Sequence, residues 1–521
     1  MRHIILTAAA LAASLTAQSQ AQTLTAGMAA PVTSLDPHFY NAAPNNGLAM
    51  HVFERLVERN STARVTAGLA SSWKPVGEAV WEFKLRPGAR WHDGVAVTAD
   101  DVVFSLKRGA NVPNSPGGYG GLVRAIQRVE VVDPMTLRFH TGTPSPNVPG
   151  DIAGFAIVSR HVGEGATTEE YNSGKATVGS GPYKLGRYLN GDRVELVRNE
   201  AWDGEKPAWE RVNFRFITNP GARVAALLAG DVDIIDVPPA ADIPRLQTDP
   251  KLSVVSIQGL RLVHISPSVA KESTPWVTDN AGKPLEKNPF KDVRVRRALS
   301  MAINRQAIAD RVMSGTAAPT GQWLPPGTYS HAPSVGVPSF DPEGAKKLLA
   351  EAGFPQGFKL TLHSPNDRYP YDASTAQAVA QYWARVGVAT QVEALPWSTF
   401  SPRAARQEFA ISLAGWGSNT GEASYMLVNV LGTYDPATNR GASNSARRSI
   451  PALDALTDRA LATIDDAARE KLLIQAVELA SAEVATIPLH QLINFWASKK
   501  TVVYEPRQDE RTVAMQARPA K

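Results

Sequence analysis

At 521 residues the chain exceeds the roughly 250 to 300 at which a single hydrophobic core stops growing, so two or three domains are expected. It has no cysteine, which excludes disulfides, thiolate metal sites and cysteine nucleophiles and leaves stability to the core. Lys plus Arg is 54 against 49 acids, and the formal net charge of +5, without any Lys/Arg-rich run or basic–aromatic repeat, argues against nucleic-acid binding.

The start of the chain reads as a secretory signal over residues 1–21. Arg2 and His3 precede an apolar run from Ile4 to about Leu15, and Ser19-Gln20-Ala21 supplies small residues for cleavage after Ala21. The run is shorter than the about 20 residues that span a bilayer, and no later segment is long and apolar enough, so no stable membrane insertion is expected. With no cysteine to carry a lipid, a free periplasmic protein of a Gram-negative cell is the expectation.

The elements that follow read as mixed α/β. Trp81, Phe83 and Leu85 alternate with charged residues, the period of a half-buried strand, and Pro87-Gly88 and Asp93-Gly94 are turn signals. Thr98, with Asp101 three residues on, starts a helix in the manner of a capping box. Residues 221–228 read as a short helix stopped by Gly230, with a strand at Val232–Ile235. Asp341 caps a helix whose first position is Pro342 and whose end is Gly353. The strand Phe358–Leu362, a helix over about 373–386, a stop at Gly387 and a strand at 388–392 form a β-α-β pattern, which implies parallel pairing. No tandem repeat or low-complexity linker interrupts the chain.

No constellation points to catalysis. Trp91-His92-Asp93-Gly94 is read as a turn, and Gly179-Ser180-Gly181-Pro182 lacks both the Lys-Ser/Thr of a phosphate loop and the GxSxG spacing of a hydrolase elbow. His264, His331, His363 and His490 lie in separate contexts, and the aspartates mostly occupy caps and turns. No catalytic residue, no cofactor and no dedicated metal site is expected. Ligand contacts are expected over 366–422, beginning just after the strand that ends near Leu362, because α/β sheets place clefts at the carboxyl ends of strands. Asn366, Arg368 and Tyr369 are candidates there, Arg368 for a two-pronged carboxylate contact.

Several motifs carry a family resemblance. Residues 81–108, WEFKLRPGARWHDGVAVTADDVVFSLKR, resemble the signature of the family 5 solute-binding proteins, extracytoplasmic receptors of ABC importers for peptides, nickel chelates, opines and some oligosaccharides. Leu35-Asp36-Pro37, Val178 to Tyr183, Leu228 to Ile235, Phe290 to Leu299, Ala302 to Arg305 and Ala345 to Gly353 look like further family segments, in order and over nearly the whole chain after residue 21.

The resemblance implies a bilobal periplasmic-binding-protein fold, type II and of the large three-domain variety. It places a core domain of the first lobe at 22–55, 179–262 and 492–521, an inserted domain at 56–178, and the second lobe at 263–491. It implies a monomer that binds a peptide-like or amino-acid-conjugated small molecule by hinge closure and delivers it to ABC importer permease subunits. An oligosaccharide, an opine or a metal chelate is the alternative ligand, and a periplasmic hydrolase the alternative class.

Trp397 looks like the tryptophan that peptide-binding relatives place at the ligand, and Trp416 lies in a segment resembling their G-W-x-x-D. In those relatives the aspartate binds the ligand's free α-ammonium; here Asn419 stands in its place, with Glu422 three residues on as a substitute charge. Tyr119, on a loop with Gly117 and Gly118, is a candidate lid residue, while Asn494 and Trp496 lie near the return crossing, at the cleft or the hinge.

Overall fold

The structure, a computed structural model, describes residues 22–418 and 420–521. The expected signal segment and Asn419 lie outside the described residues.

Two long antiparallel strands, Leu252–Pro267 and Ile487–Lys499, form the axis of the molecule. Among the described residues they sit in the middle of a twelve-stranded mixed sheet. On the first-lobe side, Ile234–Asp236 pairs with the second of these strands, and Thr23–Met28, Arg211–Phe216, Arg193–Arg198 and Tyr183–Leu189 follow in that order. On the second-lobe side, Ile411–Gly417 pairs with the first, and Phe358–Pro365 and Val388–Leu395 lie beyond it. The pairing slips between Gln258, opposite Ile493, and Leu262, opposite Gln491. This bulge falls where the two halves join, and bulges bend and twist a strand locally.

Each half has its own apolar core. Leu24, Phe53, Phe214 and Trp496 centre the first, and Ile265, Phe290, Leu362 and Trp383 the second. A separate four-stranded antiparallel sheet, Ala70–Gly77, Val80–Leu85, Thr136–His140 and Arg128–Asp133, buries Phe83, Trp91, Phe139 and Phe155 in a third core. No helix among the described residues is long and apolar enough to cross a membrane.

Local rules place most elements where the sequence predicts them. The helix Ala99–Ala110 starts at Thr98, whose N–H donates to Asp101 at 2.9 Å. The helix Pro220–Ala229 ends at Gly230, whose φ of +86° few other residues adopt cheaply. Asp341 caps Pro342–Glu351, and the strand pair Phe358–Pro365 and Val388–Leu395 is parallel, joined by Asp372–Ala384.

Two sequence motifs meet in the structure. The His92 ring accepts from the Gly179 N–H at 3.2 Å and faces the Gly181 carbonyl at 3.1 Å, while the His92 N–H donates to the Gly179 carbonyl at 2.7 Å. Burial lowers the His92 pKa to about 4, so the ring is neutral and serves as a strut between the four-stranded-sheet segment and the main sheet.

Candidate functional site

A cavity of about 480 Å³ lies between the two halves. The half whose core holds Leu24 and Trp496 contributes Asn46 and Arg511, the four-stranded-sheet segment Asp151, the bulge Leu260 and Arg261, and the other half Ser418 and Tyr425. A second cavity of about 510 Å³ shares Arg59, Asp151 and Thr420 with it and extends past Trp73, Trp81, Tyr329, Glu422 and Arg469. Both volumes fall in the range of about 300 to 1,000 Å³ typical of small-molecule sites.

The bulge brings Arg261 to this cleft. Arg261 pairs with Gly417, and the missing side chain of Gly417 lets the guanidinium lie over its backbone, 3.4 Å from where a Cβ would stand. Its ion-pair partner among the described residues, Glu510, is 3.9 Å away. Arg511 Nη1 lies 3.4 Å from Asp509, and Arg511 Nε is buried with no partner among the described residues.

Asp509, Glu422 and Asp151 are more fully engaged, whereas among the described residues Glu510 has only its 3.9 Å approach to Arg261. Asp509 accepts from Arg507 at 2.7 Å, and although its burial acts to raise its pKa, Arg511 and Arg507 hold it below the usual carboxylate range. Both Glu422 oxygens accept from Arg469 at 2.6 Å. Asp151 is pushed up to about 7, by burial first and by the Glu422 charge second. Arg59 is lowered to about 10 by burial and donates to the carbonyls of Ala63 at 2.9 Å and Gly150 at 2.5 Å.

Direct contacts cross the cleft. Asn147 donates to Ser424 at 3.2 Å and also bonds Arg469. Arg64 donates to the Gly327 carbonyl at 3.0 Å and lies 3.5 Å from Glu470, and Gln508 donates to the Pro326 carbonyl at 3.3 Å.

The sequence-predicted residues divide into three groups. Glu422 sits in the cleft, fixed by Arg469, and Asn419 lies outside the described residues. Trp416 stands behind the cleft with its ring 5.4 Å from that of Tyr425, and its Nε1 is buried without a partner among the described residues, beside a small gap lined by Leu260, Trp323 and Met426.

Arg368, Tyr369, Trp397 and Asn366 form a separate cluster at the carboxyl ends of the parallel pair. The Arg368 guanidinium lies 5.2 Å from the Trp397 ring and 5.4 Å from that of Tyr369, a cation–π arrangement. Tyr369 is buried and donates to the Gly415 carbonyl at 3.0 Å, whereas Asn366 and Arg368 are exposed. None of these four lines either cavity.

Tyr119, expected on an adaptable loop, is a core residue. It is 2% exposed, packs against Phe155 and bonds Asn46, so it supports the cleft wall from behind. Trp496 is buried in the first core, and Asn494 donates to the carbonyls of Arg507 and Gln508, which ties the crossing strand to the C-terminal cleft segment.

The cleft residues missed in the sequence are Arg59, Asp151, Arg261 and Arg511. One signal was available: Arg261, between Leu260 and Leu262, is the single Asp, Glu, Lys or Arg in the sixteen-residue crossing strand.

Known proteins share this architecture. The family model for bacterial extracellular solute-binding proteins, family 5 Middle, matches residues 64–437. Heme-binding protein A of Haemophilus influenzae is 28% identical over 499 residues, covering 89% of this chain and 85% of that protein. The dipeptide-binding protein of Escherichia coli is 27% identical over 494 residues, covering 89% of this chain and 88% of that protein. The solved structure of HbpA2 from Haemophilus parasuis superposes with a TM-score of 0.84 at 26% identity, covering 96% of this chain and 100% of that one. A match through most of the sequence, on a bilobal fold with a cleft at its hinge, means that the chain belongs to the bacterial extracellular solute-binding proteins of family 5, the substrate-binding components of ABC importers.

Proposed function

We propose that the cleft captures a peptide-like or amino-acid-conjugated solute in the periplasm, one that presents a carboxylate and lacks a free α-ammonium, and hands it to the permease subunits of an ABC importer. The carrying observation is the imbalance of partners. Glu422 and Asp509 are each held by an arginine and Asp151 is poised toward its neutral form, while among the described residues Arg511 Nε has no partner and Arg261 has only Glu510, 3.9 Å away. A guanidinium with unused donors favours a ligand carboxylate, and charge-assisted bonds are about twice as strong as neutral ones. Asn419, neutral where relatives' ammonium anchor is charged, fits the same ligand.

Residues 22–55, 179–262 and 492–521 are assigned to the first lobe, 56–178 to an insertion and 263–491 to the second lobe. The register slip between Gln258 and Leu262 and the separate four-stranded sheet support this division. Contacts made to the ligand by both lobes exist only when they meet, so ligand shifts the population toward the closed form, which a permease distinguishes from the open one. The Arg368–Tyr369–Trp397 cluster is assigned to the second-lobe rim. The protein acts as a monomer and turns nothing over.

Titration calorimetry of residues 22–521 with one dipeptide in free-amine and N-acetylated forms tests the reading. The N-acetylated form is expected to bind about tenfold or more tightly than the free amine. The reverse order overturns the ammonium argument, and binding by neither overturns the peptide-like class.

A further inference from the structure

A third, more apolar cavity of about 230 Å³ opens on the first lobe and shares Ala43, Glu510 and Arg511 with the interlobe cleft. Its walls include Met28, Val32, Leu48, Phe214, Phe216 and Val237. It is larger than the roughly 150 Å³ apolar cavity that accepts a benzene molecule.

The mouth of this cavity is strained. Val237 has a φ of +45°, a conformation that β-branched residues rarely adopt, and its side chain is 60% exposed. The fully buried Arg223 imposes it, donating to the carbonyls of Ile217 at 2.7 Å, Asp236 at 3.1 Å and Val237 at 2.7 Å. The Ala29 N–H donates to Asp236 at 2.7 Å and ties the opposite wall to the same point. Strain of this kind persists only where the surroundings over-determine it, and it clusters at ligand sites. Here its product is an isopropyl group exposed at the rim of an apolar pocket that Arg511 also lines, and Arg511 Nε has no partner among the described residues.

We propose that this pocket is an apolar subsite that takes an aliphatic or aromatic group of the cleft ligand, placed next to the carboxylate that Arg511 engages. The inference rests on the peptide-like reading above and narrows it: the ligand joins an anionic group to an apolar one of leucine or phenylalanine size. Junction with the cleft fixes the occupant, since Arg511 lines both spaces.

The test compares N-acetyl-Gly-Gly, N-acetyl-Gly-Leu and N-acetyl-Gly-Phe by calorimetry on residues 22–521. The leucine or phenylalanine compound is expected to bind about tenfold or more tightly than the glycine one, because each methylene buried in an apolar pocket contributes a large factor. Ala30→Trp, at an exposed lining position, fills the pocket and is expected to bring that ratio to about one. Val237→Asn, which tolerates positive φ and wets the mouth, is expected to lower the ratio at least threefold without loss of the unfolding midpoint. Equal affinities across the series, or a ratio unchanged in both variants, overturn the subsite while leaving the peptide-like reading standing. Binding by none of the three overturns that reading and the subsite with it.

Discussion

Gly421 of the second lobe lies against Ala63 of the segment preceding the four-stranded sheet, so closely that a Cβ on Gly421 would stand 2.7 Å from that of Ala63. Gly421 also has a φ of +71°, which an L side chain resists. Gly421→Ala therefore meets two penalties of different kinds: backbone strain that is present in any state, and a clash that exists only when the lobes touch. Affinity is expected to fall about tenfold or more, while the unliganded unfolding midpoint moves by only about 2 to 4 °C. Calorimetry and thermal unfolding separate the two; a midpoint loss with unchanged affinity would remove Gly421 from the closure interface.

Asn147 bonds Ser424 and Arg469 across the cleft and is the polar counterpart of that contact. Asn147→Ala removes these bonds, at about 1 kcal/mol each net, only from the state in which the lobes meet. Affinity is expected to fall about five- to thirtyfold, with small-angle scattering showing a larger fraction of extended molecules at a fixed ligand concentration. An unaltered scattering profile together with unaltered affinity would count against the latch.

Asp151 gives closure a pH dependence. Its partners in the cleft are Glu422, Arg59 and Arg469, and burial with the Glu422 charge raises its pKa from 3.8 to about 7. The contacted state thus binds a proton that an exposed Asp151 releases near its ordinary value. Stability of that state is full below about pH 4 and declines as pH rises toward 7, by at most roughly 1.4 kcal/mol per unit. Buried Glu54 and Asp236 are raised too, to about 7 and about 6, so the readout is the difference between the wild type and Asp151→Asn. Affinity is expected to weaken between pH 5 and pH 7 in the wild type and to change less in the variant. Parallel profiles would refute the assignment.

Gly179 shows how a sequence motif is used. A Cβ there would overlap the Val52 carbonyl oxygen, a backbone atom with no freedom to move, and the same turn is braced by His92. Gly179→Ala is expected to yield no cooperative unfolding transition by circular dichroism, whereas Gly191→Ala, where nothing lies within 4 Å, is expected to fold despite its positive φ.

Elements governed by near neighbours were legible. Thr98 with Asp101, Asp341 with Pro342, and Gly230 with the helix before it each settle their outcome within a few residues. The cleft was not, because its charges converge from residues 59, 151, 261 and 511. Arg261 faces the cleft through a register slip set by the opposing strand, which lies more than two hundred residues away. Arg511 belongs to Arg507-Gln508-Asp509-Glu510-Arg511, and although charged residues are mostly exposed, Arg507 is 2% exposed. Tyr119 misled in the opposite sense: its glycine-flanked loop reads as adaptable, but the ring fills a space beneath Asn46.

Arg511 offers the most direct test of ligand charge. The Arg511 side chain is mostly buried, with Nη1 4.0 Å from the Met50 sulfur, so Arg511→Met keeps much of the apolar volume while removing the donors, and Asp509 retains Arg507 as its partner. A charge-assisted bond contributes about 1.5 to 3 kcal/mol, so binding of an N-acetyl dipeptide is expected to weaken about tenfold to a hundredfold. The same peptide with its C-terminal carboxylate converted to an amide presents no charge to lose, and its affinity is expected to differ by less than about threefold between wild type and variant. The coupling between the two changes measures the guanidinium–carboxylate contact itself. Equal losses for acid and amide would mean that Arg511 acts through packing, and would move the carboxylate to Arg261.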